Sequence, residues 1–114
     1  MKDREFSELA KKVDTLRKDW AIVANEIAKY NVASGPFKEN LRERVSSKIK
    51  DFLAKHSPTF NQLDYAQANL EEELKTETDK SSLDKLKAQL AFVKEKIKEK
   101  KSIFQTLQQA PGPA

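Results

Sequence analysis

The chain has 114 residues, no cysteine and a single histidine; 35% of its residues are charged and the net charge is +4. Without cysteine there is no disulfide framework, thiolate metal site or cysteine nucleophile, and one histidine leaves structural zinc without a ligand set. The length suits one domain that buries a core unaided, and two glycines and four prolines among so many charges favour long helices over a sheet.

In the first segment Phe6, Leu9, Val13, Leu16, Trp20, Val23, Ile27 and Tyr30 recur in alternating steps of three and four, which is the heptad stepping of a helix packed along one seam. The spacing predicts a helix over 4–31 with Asp3 as its N-cap, stopped by NVASGP at 31–36, and places Trp20 largely inside. Pro36 suits the first position of a second helix, because the N–H it lacks has no partner there in any case. Phe37, Leu41, Val45, Ile49, Phe52 and Leu53 carry that helix to about residue 55.

HSPTF follows. Ser57 as N-cap and Pro58 at the first helical position restart a third helix whose seam is Phe60, Leu63, Leu70 and Leu74. The spacing 49, 52, 56, 60, 63, 67, 70, 74 nevertheless stays in helical phase across Pro58, so the alternative is one long helix kinked there. An interior proline costs roughly 3 kcal/mol or more, and on that ground the break is preferred. His56, at the resulting helix end, then reads as a capping or surface residue. KTETDKSS at 75–82 marks a turn, and Ser81 with Asp84 forms a capping box for a last helix bearing Leu83, Leu86, Leu90, Val93, Ile97, Phe104 and Leu107. Lys100 fills the one missing seam position.

The expected fold is therefore all-α: an antiparallel four-helix bundle with coiled-coil-like heptad packing over 1–109, followed by a loose, disordered tail at 110–114. The alternative is a three-helix bundle with a long middle helix kinked at Pro58.

Charge is unevenly placed. Residues 1–56 balance at +4, residues 57–84 at −5 and residues 85–114 at +5. Lys87, Lys94, Lys98 and Lys101 share a flank of the last helix, beside its seam. The preferred reading is that the acidic helix before it, with Glu71, Glu72, Glu73 and Glu77, balances that flank and sets the register of the pair. The alternative is an electrostatic surface for nucleic acid or anionic membrane. Interleaved aromatics, glycines and nucleic-acid motifs are lacking.

No Gly-rich phosphate loop, HExxH or paired Glu-x-x-His is present, and the expectation is a non-enzyme with no cofactor and no metal. The charged N-terminal stretch and the lack of a long apolar run predict a soluble, cytoplasmic protein. The function expected is a helical protein–protein interaction module, an adaptor, regulatory or chaperone-like subunit. Its partner is another protein or a second copy. Ile22 and Phe92 fall at heptad position c, off the seam; were the first and last helices antiparallel neighbours, the two would stand level as one exposed patch, with Tyr65 a further contact.

Overall fold

A computed structural model describes residues 1–111 of the chain. It has three helices, α1 (Asp3–Val32), α2 (Gly35–Thr76) and α3 (Lys80–Gln108), and no strand among the described residues. The molecule is a rod of 63 × 21 × 19 Å. At 1.5 Å per residue the 42 residues of α2 alone account for the long dimension.

The expected break at Pro58 does not occur, and the four-helix arrangement gives way to three. The reason is packing. Phe52, His56, Thr59, Phe60 and Leu63 are all buried, so one continuous stripe passes the proline on the inner side of α2. Burying a large apolar side chain is worth about 1.5–3 kcal/mol, and several that depend on one helical phase outweigh a single proline cost of roughly 3 kcal/mol. Pro58 itself faces solvent. In the turn before it, the Ser57 hydroxyl donates to the Leu53 carbonyl at 2.5 Å, the back-bonding that lets a helix bend.

The connection between α1 and α2 is only Ala33 and Ser34. It closes through the Ala33 N–H donating to the Tyr30 carbonyl at 3.2 Å and through Gly35, whose φ of +66° lies in the left-handed region. A Cβ at Gly35 would meet nothing within 4 Å, so the need for glycine there is conformational rather than steric. At the other turn the N-cap of α3 is Asp79, whose Oδ2 accepts from the Ser82 N–H at 3.0 Å, in place of the expected Ser81–Asp84 box. Lys2 precedes α1 without a side-chain cap, so Asp3 opens the helix instead of capping it.

With three helices the first and last run parallel. The start of α1 meets the start of α3: Asp3 pairs with Lys85 and Phe6 lies edge-on to Phe92 at 5.1 Å. Farther along, Arg17 and Trp20 border Glu99, Ser102 and Ile103. Both helices are antiparallel to α2 and pack mainly on it. The core falls into two clusters along the rod. Leu9, Val13, Leu63, Ala66, Leu70, Leu86, Leu90 and Val93 fill one half. Leu16, Val23, Ile27, Val45, Ile49, Phe52, Phe60 and Ile103 fill the other. Trp20 is half-buried rather than largely buried, tilted on Phe52 at 5.5 Å. Of the expected tail, Ala110 packs against the second cluster, while residues 112–114 lie outside the described residues.

α3 is about 13 residues shorter than α2, and the two share the end joined by residues 77–79. The far end of α2 therefore runs about 20 Å past α3. There the rod is a two-helix hairpin of α1 and α2.

Candidate functional site

Among the described residues four large apolar side chains are exposed: Ile22 at 58%, Val32 at 86%, Phe37 at 64% and Tyr65 at 71%. All belong to α1 or α2. Val32 and Phe37 flank the short connection at the two-helix end, where α3 does not reach. Ile22 overhangs a shallow groove whose lining, Asp19, Val23, Lys48, Asp51, Phe52 and Lys55, comes from α1 and α2 alone, on the side turned from α3. Tyr65 borders a second cleft on the hairpin, with Glu5, Glu8, Lys12 and Glu73 around it.

Phe92 does not join Ile22. Its ring packs on Phe6, with the Lys96 ammonium 5.3 Å from its centroid, and it is half-buried against the first core cluster. The level pairing of Ile22 with Phe92 required α1 and the last helix to be antiparallel, and they are parallel. The expected single patch is thus corrected to separate sites, with Phe92 a packing residue. Val32 and Phe37 were missed by the sequence reading. Phe37 matches the seam of α2 in phase, but no third helix lies above it at that height.

A polar cluster joins α1 to α2 near mid-rod. His56 Nε2 lies 2.7 Å from Asp19 Oδ2, and the Lys55 ammonium donates to the same oxygen at 2.9 Å. Both contacts hold the Asp19 carboxyl below its ordinary range, that of Lys55 more strongly than that of His56. His56 is 3% exposed, its ring 5.0 Å from that of Phe52. The capping or surface reading of His56 followed from the break at Pro58 and is corrected with it. Ser57, the nearest hydroxyl in sequence, is engaged with its own helix. The cluster fastens two helices through a shared carboxylate.

Lys87, Lys94, Lys98 and Lys101 are all exposed, and among the described residues no carboxylate lies within 4.0 Å of any of them. The acids expected to balance them are engaged elsewhere. Glu71 accepts from Gln67, Glu72 pairs with Lys75, Glu73 holds the Met1 amine, and Glu77 accepts the N–H groups of Thr78 and Asp79. The one ion pair from α3 to α2 is made by Lys100, whose ammonium reaches Asp64 Oδ2 at 2.6 Å over the ring of Phe60.

Among the described residues no group of three or more His, Asp or Glu is placed to hold a metal ion, and no helix is long and apolar enough to cross a membrane. Comparison with protein-family models, with curated proteins and with solved structures finds no match to this chain.

Proposed function

We propose that the chain is a non-catalytic helical interaction module of the adaptor, regulatory or chaperone-like kind, which engages another protein through the α1–α2 hairpin. One observation carries this reading. Among the described residues every exposed large apolar side chain lies on the hairpin and none on α3, and two of them, Val32 and Phe37, stand at the end where the hairpin lacks its third helix. A bundle end missing a neighbour presents the kind of surface that an apolar helix of a partner covers.

The test is Val32→Ser with Phe37→Ser, compared with Ile22→Ser and with Tyr65→Ser. Because these side chains are exposed in the free chain, each variant should melt within about 0.5 kcal/mol of wild type. Association is read by sedimentation and by capture of a partner that binds the wild-type chain. Loss of association in the Val32/Phe37 pair at unchanged melting temperature supports the reading. Undiminished association in all three variants opposes it.

A further inference from the structure

The lysines of α3 are arranged more strictly than a solvated flank requires. At 100° per residue, Lys87, Lys94, Lys98 and Lys101 fall within an arc of about 60°, and Lys80, also exposed, falls in the same arc one turn family earlier. Along the axis the ladder from Lys80 to Lys101 covers about 31 Å on a helix that continues unbroken beneath it. Gln105 lies in the same arc and Ala91 about 20° outside it, both neutral, while the exposed acids of α3's outer face, Asp84 and Glu95, stand about 70° and about 90° off the centre of the arc. The other lysines of the helix are spent on partners: Lys85 on Asp3, Lys96 on Glu99, Lys100 on Asp64. What remains is one row of uncompensated charge with no exposed large apolar side chain in it: Leu83, at the edge of the arc, is half-buried.

The geometry points to the outer face of α3 as an electrostatic docking surface for an anionic lipid bilayer, with the rod lying flat on the headgroups. Two features select this occupant among polyanions. A straight row on a rigid rod brings all its ammonium groups to one plane, and a sheet of anionic headgroups meets charges at any spacing along it. The phosphates of a duplex wind away from such a line. The last arginine in the sequence is Arg44, so α3 offers point charges without the bidentate fork that grips individual phosphates. The lack of exposed large apolar side chains in the row means adsorption to the surface without insertion. This surface is separate from the hairpin face proposed above for a protein partner, and either stands without the other.

The experiment is co-sedimentation with vesicles of phosphatidylcholine containing about 30% phosphatidylserine, with pure phosphatidylcholine vesicles and a short DNA duplex as parallel arms. Wild type should bind the anionic vesicles, not the neutral ones, and should be released as salt rises from about 0.1 to about 0.5 M. Each of Lys87→Gln, Lys94→Gln, Lys98→Gln and Lys101→Gln should lower the partition about fivefold, and the four together should abolish it. A control with equal loss of charge on α1, replacing Lys2, Lys11, Lys18 and Lys29 by Gln, should retain most of the binding. The exposed positions predict unchanged helicity, and the single variants read the same quantity if the combined one fails to fold. No binding by wild type, equal losses in ladder and control, or binding to the duplex in preference to the anionic vesicles would each overturn the proposal.

Discussion

One oxygen of Asp19 serves two partners, the ammonium of Lys55 and the imidazole of His56, and this is the only place where a buried titratable ring meets a charge between α1 and α2 among the described residues. Both contacts favour the ionised carboxyl, so its folded pKa is depressed below the ordinary value of about 3.9. The sign follows from that direction. A depressed carboxyl contributes stability that is fully present above its unfolded pKa and is lost as pH falls through the folded one. Asp19→Asn should therefore cost about 1 kcal/mol at pH 7, a figure discounted because the Asp19 side chain remains 31% exposed. In paired melts, the gap between wild type and variant should hold from neutral pH down to about pH 5 and close below about pH 4. A gap that persists unchanged into strong acid would assign the difference to packing instead of ionisation.

At the scale of the element, α2 turns on one trade. Pro58 leaves the Ala54 carbonyl without its helical donor, a cost accepted because the stripe from Ile49 to Leu70 stays in phase. Pro58→Ala restores the donor at a solvent-facing position and disturbs no packing. It should stabilise the chain by about 1–3 kcal/mol and raise the melting temperature by roughly 4 °C or more. An unchanged or lower melting temperature would mean that the helix gains nothing from continuity at this point. The stripe was readable from residue spacing: of the positions 49, 52, 56, 60, 63, 67, 70 and 74 predicted to continue across the proline, all are buried except 67 and 74, which are half-buried. Spacing does not reveal which of two similar energies is larger, and the error in helix count and direction grew from there. A break at Pro58 turned His56 into a surface cap and made the helix count even, which sets first and last helices antiparallel. An odd count sets them parallel. That is why the exposure of Ile22, which depends only on its position around α1, was legible, whereas the surroundings of Phe92, which depend on the direction of its neighbour, were not.

The whole molecule is uneven along its length because its helices are unequal. Between about residues 60 and 70 of α2, α1 and α3 both pack on it, and Leu63, Ala66 and Leu70 are at most 2% exposed. Toward the other end α3 stops, with Leu107 and Ala110 giving the last cover to the second cluster. Beyond them the hairpin has partial burial at Tyr30 and Leu41 and none to speak of at Val32 and Phe37. Opening that end exposes little apolar surface, whereas opening the middle separates three helices. Local opening free energies should follow. Backbone amides in residues 28–43 should exchange at least about tenfold faster than those in residues 60–70, measured by native-state hydrogen exchange of the full chain. The core substitution Leu70→Ala, costing about 2–5 kcal/mol, should raise exchange in the three-helix region toward that of the hairpin end. Binding of a protein partner at Val32 and Phe37 should slow exchange in residues 28–43 and leave the middle of the rod unchanged. Equal protection along the whole of α2 in the free chain would show that the missing third helix carries no local cost, and with it would go the physical reason for a partner to dock there.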